Sequence, residues 1–479
     1  MNKPYLLRGL VSIAICGALH GCAIPALTTR SADAALPTAY ADSVVSANTT
    51  ALERDVFFQD ATLAALIETA VANNKESGVL LQRMQMAQNE ILARQGEYLP
   101  FVSIGAAVES EKVGEFTRNG AVEQQLEIND GKRFPDPLAN FSAGVRASWE
   151  IDVWHKLRNA TKVAALEYMA SVEGRNFLLT NLVAEVANDF YELMALDNQL
   201  SNLNEYIAIQ QNAMLVTREL LTFGRVNSLA VTRFEAEVAK NESERFAISQ
   251  RITATENHLN LLLGRLPQPI SRASNALMTL EPALVNKGVP AQLLQNRPDI
   301  RQAELELKAA DLNIAVAKAN FYPSVAIRAG VGFEAFRLGQ LVETPQSLAY
   351  AAAGDVMAPL FNRNAIKAVY QNANAAQIEA ALDYEQTVLN AFREVATQMA
   401  EIDNLQQSYA FKLRQVQALD ASVDVANDLF ASARADYLEI LLAQREALEA
   451  RRELIETKQK QMSATVNLYR ALGGGWQTQ

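Results

Sequence analysis

The sequence predicts a mostly helical protein with a small antiparallel β part, built from a helix–hairpin–helix–helix unit that occurs twice. Three observations carry this. Long proline-free stretches are rich in helix-forming residues. The two halves match each other at a fixed spacing. Short segments between the helices alternate apolar and small or charged residues.

The N-terminus comes first. Lys3 and Arg8 precede an apolar stretch from Gly9 to Leu19, too short to span a bilayer, so residues 1–21 read as a secretory signal. Leu19-His20-Gly21-Cys22 has the form of a bacterial lipoprotein processing site, with an unusual His at its variable position. Cys22 would then carry lipid, and Ala23 rather than Asp follows it, so an inner-membrane retention signal is absent. Residues 22–60 are expected to form a lipid-anchored extension. The chain has two cysteines, and Cys16 would leave with the signal, so neither a disulfide nor a thiolate metal site is expected.

The helices follow from proline placement. No Pro lies between Pro137 and Pro267, and none follows Pro359. Both stretches are rich in Ala, Leu, Glu, Gln, Arg and Asn. A helix from about Trp154 to Thr222 would run roughly 100 Å at about 1.5 Å per residue, which implies coiled-coil-like packing.

The repeat follows from self-comparison. Glu185-Val186-Ala187 corresponds to Glu394-Val395-Ala396, Leu229 to Leu438, and Leu259, Leu263 and Gly264 to Leu468, Leu472 and Gly473, all at one offset of 209. Tyr98-Leu99-Pro100 pairs with Phe321-Tyr322-Pro323 at an offset of 223, so the first half carries an insertion, placed in the polar segment 109–140. The repeats are expected to cover 61–285 and 286–479. Apolar stripes agree with helix packing. Ile300, Ala303, Leu307, Ala310, Ile314, Ala317 and Phe321 step by three and four, and Leu441, Leu448, Ile455, Met462 and Tyr469 recur every seven residues. These read as core.

The strands have a different period. Val325, Ile327, Ala329, Val331 and Phe333 alternate with Ala326, Arg328, Gly330, Gly332 and Glu334, and Val102, Ile104, Ala106 and Val108 repeat the pattern. About ten residues of strict alternation fit a membrane-spanning strand with lipid on one side and water on the other. Strands are expected at about 100–110, 141–152, 324–334 and 348–360. Four strands cannot close a membrane barrel, and open edges are untenable in lipid. Strands must therefore be pooled between copies: two copies give eight and three give twelve.

Composition excludes several classes. Lys+Arg number 43 against 54 Asp+Glu, a net charge of −11, which argues against nucleic acid. No run of eighteen apolar residues follows the signal. His155 and His258 lie alone in helical surroundings, and no phosphate-binding glycine loop is present. No catalytic residue, cofactor or metal is expected, and the chain does not read as an enzyme.

At this point the residues resemble a known family. Asn296-Arg297-Pro298-Asp299-Ile300, Phe321-Tyr322-Pro323-Ser324, Trp149-Glu150-Ile151-Asp152-Val153-Trp154, Pro359-Leu360-Phe361-Asn362 and the closing Leu468-Tyr469-Arg470-Ala471-Leu472-Gly473-Gly474-Gly475-Trp476 are similar to the TolC-type outer-membrane efflux factors, specifically the lipoprotein branch serving RND (resistance-nodulation-division) pumps. The resemblance implies a homotrimer, with a twelve-stranded barrel in the outer membrane continued by a periplasmic α-helical barrel pinched shut at its far end. It implies a periplasmic adaptor and an inner-membrane RND pump as partners, and passage of small molecules out of the cell. The turns at 223–229 and 432–439 would mark the periplasmic tip. Asp436 and Glu439 lie where the family places its constricting carboxylates or their neighbours, with Arg434 and Arg225 as candidates for ion pairs that hold the closed state. Gly224, Ala431 and Ala433 would permit close approach of the adaptor. The family usually has Gly where this chain has Ala433. Two rival readings stay open on the residues: a duct for protein secretion, and a coiled-coil periplasmic lipoprotein that forms no channel.

Overall fold

A computed structural model describes residues 24–33, 35–40, 57–58, 60–129, 131–282, 290–432 and 434–476. Cys22 and Ala433 lie outside the described residues. In chain order the elements are α1 (Ala61–Asn73), α2 (Lys75–Tyr98), β1 (Phe101–Glu111), a short α3 (Arg118–Glu123), β2 (Glu127–Asn129), β3 (Lys132–Arg133), β4 (Leu138–Ile151), α4 (Lys156–Thr222), α5 (Ser228–Leu262), a one-turn α6 (Leu293–Asn296), α7 (Pro298–Ala319), β5 (Ser324–Ala335), β6 (Leu348–Met357), α8 (Asn364–Ala431) and α9 (Tyr437–Ala471). α4 has 67 residues and α8 has 68, the uninterrupted helices that the proline-free stretches require. The chain folds into two compact units, and each draws on both sequence repeats.

The first unit comprises 1–31, 85–168 and 305–381. Its centre is a four-stranded antiparallel sheet in the order β1-β4-β5-β6. The register stacks apolar residues in rows. Ile104, Val145, Val331 and Tyr350 are cross-strand neighbours, and Ile104 and Tyr350 are 85% and 82% exposed. The adjacent row is Ser103, Arg146, Gly330 and Ala351. Alternation along each strand thus becomes one apolar face and one small or polar face. The insertion between β1 and β4 holds α3 and the β2–β3 hairpin, with Lys112 paired to Asp136 at 3.2 Å.

Where strands meet helices, aromatic side chains close the junctions. Trp149 Nε1 donates to the Tyr98 carbonyl at 3.0 Å. Trp154 Nε1 donates to the Pro323 carbonyl at 2.7 Å, and its ring stacks on Tyr322. Each long helix is entered through a left-handed residue, His155 (φ 59°) before α4 and Asn362 (φ 51°) before α8. Asp152 caps α4 by accepting from Leu157 and Arg158 backbone N–H groups at 3.1 and 3.0 Å. Ile24 and Leu27 pack on Phe321, Tyr370 and Ile366, and Gln377 exchanges two hydrogen bonds with the Arg30 backbone.

The second unit comprises 32–84, 169–304 and 382–479. One core joins Phe57, Phe58, Leu63 and Ile67 to Val183, Phe190 and Met194 of α4, Leu259 of α5, and Ile455, Met462 and Tyr469 of α9. A second joins Tyr40, Leu293 and Ile300 to Val388, Val395 and Met399 of α8 and Leu468 of α9. The predicted stripe residues Ile300, Ile455, Met462 and Tyr469 are all buried.

The repeat shows in matched details of this unit. α5 and α9 both end on a left-handed glycine, Gly264 (φ 68°) and Gly473 (φ 91°), with the two overlapping bonds of a Schellman motif. A Cβ on Gly264 would lie 2.3 Å from the Asn73 carbonyl oxygen, and one on Gly473 would lie 2.5 Å from that of Asn296. Asn74 donates to the Leu262 carbonyl at 3.1 Å, and its counterpart Arg297 donates to the Ala471 carbonyl at 2.9 Å. Arg297 is also paired to Asp299 and Glu394, at 2.6 and 2.9 Å.

Candidate functional site: the paired helical turns and the strand face

The two turns between long helices are built on one plan. α4 ends in a Schellman motif, with Gly224 N–H donating to Leu221 O at 3.0 Å and Arg225 N–H to Leu220 O at 2.9 Å. Gly224 has φ +67°, and nothing lies within 4 Å of where its Cβ would stand. Glycine serves the left-handed backbone here, not a close contact. In the second turn, Arg434 N–H donates to Leu429 O at 2.8 Å, the same six-residue closure.

The helix starts differ. Asn227 caps α5, its side chain accepting from Ala230 N–H at 3.2 Å. Asp436 occupies the equivalent position before α9 with extended backbone, but its carboxylate makes no capping bond. That charge is left for something outside the helix. Glu439 sits in the first turn of α9, where the helix dipole favours an acid. Arg225, Arg434, Asp436 and Glu439 are all exposed, and none has an ion pair among the described residues. Among the described residues, Arg225 and Arg434 therefore form no ion pair that would lock these turns. Gly224 lies open at the turn, Ala431 is the last residue of α8, and Ala433 is outside the described residues.

An apolar cluster ties the two turns together, and sequence reasoning missed it. Phe234 of α5, Tyr437 and Leu441 of α9 and Ala230 are buried against Met214, Val226, Phe430 and Leu438. Phe234 and Tyr437 lie at helical positions like many others, so nothing local marks their meeting. Phe223 remains exposed beside this cluster, at 77%.

His258, expected from the sequence to stand alone, instead has partners from a distant part of the chain. Its Nδ1 lies 2.6 Å from Asp189 Oδ2, and its Nε2 lies 3.5 Å from Glu185 Oε1. Burial pushes the Asp189 carboxyl up to about 6, against the His258 contact, which lowers it; the charges of Glu185 and Glu192 also raise it. Among the described residues no group of His, Cys, Asp and Glu forms a metal site, and no helix is long and apolar enough to cross a membrane.

The first unit therefore carries a sheet with one exposed apolar face, and the second carries paired helical turns whose charged side chains have no ion pair among the described residues. Residues 66–265 and 289–474 match the model of the outer membrane efflux protein family, one segment for each repeat. The chain belongs to this family. The cation efflux system protein CusC of Escherichia coli K12 is 27% identical, with 88% of each chain covered. The toluene efflux pump outer membrane protein TtgI of Pseudomonas putida is 26% identical, over 88% of this chain and 87% of that one. Among solved structures, a Pseudomonas aeruginosa membrane protein matches with TM-score 0.83 at 21% identity, covering 94% of this chain and 99% of that one. The open state of the Neisseria gonorrhoeae MtrE channel matches with TM-score 0.81 at 22% identity, covering 95% and 98%. The protein is accordingly an outer-membrane channel component of a tripartite efflux system and not an enzyme. It works as a homotrimer with a periplasmic adaptor and an inner-membrane RND pump. The rival reading as a coiled-coil lipoprotein without a channel is set aside by the sheet and by the family match.

Proposed function

We propose that the duct is gated at its periplasmic tip by the turns preceding α5 and α9, with Asp436 as the principal aperture residue and Glu439 beside it. The observation that supports this is the Asp436 carboxylate, placed at a helix start without capping it. Three copies give a narrow ring of negative charge, which binds and favours cations at close quarters. Arg434 and Arg225 then pair with carboxylates of neighbouring copies in the closed state, since they have no ion pair among the described residues of their own chain. Single-channel recording in planar bilayers tests the gate. Replacing Asp436 and Glu439 with Ala is expected to raise conductance several-fold and to reduce cation preference; unchanged conductance and selectivity would contradict it.

The adaptor meets the tip at Gly224, Ala431 and Ala433, beside the exposed Phe223. Engineered cysteines at these positions should trap the adaptor, and the absence of any cross-link removes the assignment. Cys22 anchors the chain by lipid, which mass spectrometry of the membrane-extracted protein detects as an acylated N-terminal peptide or rules out.

The cargo consists of small molecules handed over by the pump. Relatives at 25–27% identity bear names that refer to cations, toluene, solvents and pyoverdine. Similarity of the duct therefore does not track cargo, and selection is assigned to the pump and adaptor.

A further inference from the structure

Arg363 is a buried charge with nothing to balance it among the described residues. It stands between left-handed Asn362 and the first residue of α8, and it is only 7% exposed. Among the described residues it has no ion pair, and its Nε is enclosed without a hydrogen-bond partner. The guanidinium lies over the ring of Phe321, 4.7 Å from its centre. Enclosing a cation without a counter-charge is costly, and a ring face offsets only part of that cost.

The first repeat shows what is missing. At the start of α4, the Asp152 carboxylate accepts from the Leu157 and Arg158 N–H groups and pairs with the Arg158 guanidinium at 3.2 Å. One anion there serves both the helix start and the arginine. The second repeat supplies no local carboxylate. No Asp or Glu occurs between Asp355 and Glu379, and Asp355 is paired to Arg328 at 3.3 Å. The stretch contributes a second cation instead. Lys367, one helical turn after Arg363, is exposed and has no ion pair among the described residues. Its N–H closes the first turn of α8 on the Arg363 carbonyl at 2.9 Å. The N–H groups of Asn364, Ala365 and Ile366 come before that bond, where the helix dipole favours an anion.

The place of this cluster selects the anion. β5 begins at Ser324, just after Phe321, and β6 ends at Met357, shortly before Arg363. Ser324 and Met357 pair, so both lie at one end of the sheet. Trp154 and Tyr322 stack at that end, as aromatic side chains do at the border of a membrane-spanning band. Leu360 and Phe361, between the strand and Arg363, are exposed. Along the chain the surface thus passes from apolar to cationic, as a phospholipid passes from acyl chain to phosphate. The long helices leave the sheet at this end and the protein extends into the periplasm, so the lipids here are those of the periplasmic leaflet. Ile24, two residues beyond Cys22, packs in the same cluster as Phe321.

We propose that Arg363, with Lys367 and the first turn of α8, binds the phosphate of a phospholipid in the periplasmic leaflet, one lipid per protomer. Stacking on Phe321 fixes the plane of the guanidinium and leaves its edge for two phosphate oxygens. Lys367 adds a point charge one turn along the helix. The acyl chains run over Leu360 and Phe361 onto the apolar face of the sheet. The lipid supplies at α8 the anion that Asp152 supplies at α4.

Lipid retention by the purified full-length trimer tests this. Delipidated protein in neutral detergent is titrated with phosphatidylglycerol, with diacylglycerol of the same chains, or with inorganic phosphate, and native mass spectrometry counts the bound molecules. The unaltered protein is expected to hold phosphatidylglycerol and not diacylglycerol. Arg363→Ala should weaken retention about tenfold or more, as loss of a charge-assisted pair does. Arg363→Lys, which keeps the charge without the planar fork, should recover part of it. Lys367→Ala should weaken retention several-fold, and because Lys367 is exposed this variant reads the site even where Arg363→Ala fails to assemble. Equal retention by the unaltered protein and both alanine variants overturns the proposal. Diacylglycerol held as tightly as phosphatidylglycerol shows that acyl chains alone bind, and inorganic phosphate held as tightly shows a site for a free anion; either result overturns it. So does a trimer that binds no phospholipid yet falls apart in Arg363→Ala, which assigns a carboxylate of a neighbouring copy to the guanidinium.

Discussion

At Gly473 the backbone is left-handed and the Asn296 carbonyl occupies the space a side chain would need; Gly264 and Asn73 repeat the arrangement. Gly224 shares the left-handed backbone but stands in open space. The three positions separate two costs of adding a methyl group. Gly224→Ala is expected to lower stability by about 1 kcal/mol, the price of the left-handed conformation alone. Gly473→Ala should lower it by roughly 2–4 kcal/mol, because the helix end must also move away from the Asn296 carbonyl. Thermal denaturation of the two variants checks the difference; equal losses would show that the close approach is unimportant. Asp189 gives a pH-dependent counterpart. Its carboxyl, buried beside His258 and facing the charges of Glu185 and Glu192, is raised to about 6 from 3.8. A carboxyl raised by folding stabilises fully below its unfolded value, and that contribution is lost as pH rises through the folded one. Between pH 4 and 7 the protein should lose on the order of 2 kcal/mol through this group. Asp189→Asn should flatten that part of the profile of melting temperature against pH. A profile unchanged by the substitution would contradict the assignment. The sequence marks neither pair in advance: His258 and Asp189 are 69 positions apart, and their meeting depends on how α4 and α5 face each other. The glycines, by contrast, were visible as a repeat at 209, although the carbonyls that require them were not.

Elements were legible where local chemistry decides them. Proline-free stretches gave helices of 67 and 68 residues, and period-two alternation gave β1 and β5 within a residue or two of their ends. Boundaries set by partners were less legible. The return strand of the second hairpin is expected to reach about Leu360, yet β6 ends at Met357, where its partner on β5 runs out. The turns divide in the same way. Gly224 and the helix break were readable, but the Phe234–Tyr437 cluster that joins the turns comes from tertiary packing. At this scale the proposed gate rests on two helix starts that differ by one atom group. Asn227 spends its side chain on the cap of α5, whereas Asp436 does not cap α9. The two turns therefore share backbone geometry, while the second leaves the Asp436 carboxylate without a capping bond.

For the whole molecule, the decisive fact is incompleteness. The described residues of one chain offer a four-stranded main sheet with two open edges and an apolar face that is exposed to solvent in isolation. Backbone polar groups at an open edge find no partners in lipid, at several kcal/mol each, so a single chain cannot span the membrane as a pore. The need for partner copies was legible from the strand count, while their number was not: eight or twelve strands both satisfy the physics. Family membership supplies the number. The most direct test of the duct is single-channel recording on separated oligomers, using the variant in which Asp436 and Glu439 are Ala to remove the proposed gate. The trimer fraction should insert as a pore of uniform unit conductance, and the monomer fraction should give none. Pores of that conductance from the monomer, or a membrane-inserted trimer that remains silent, would contradict the account.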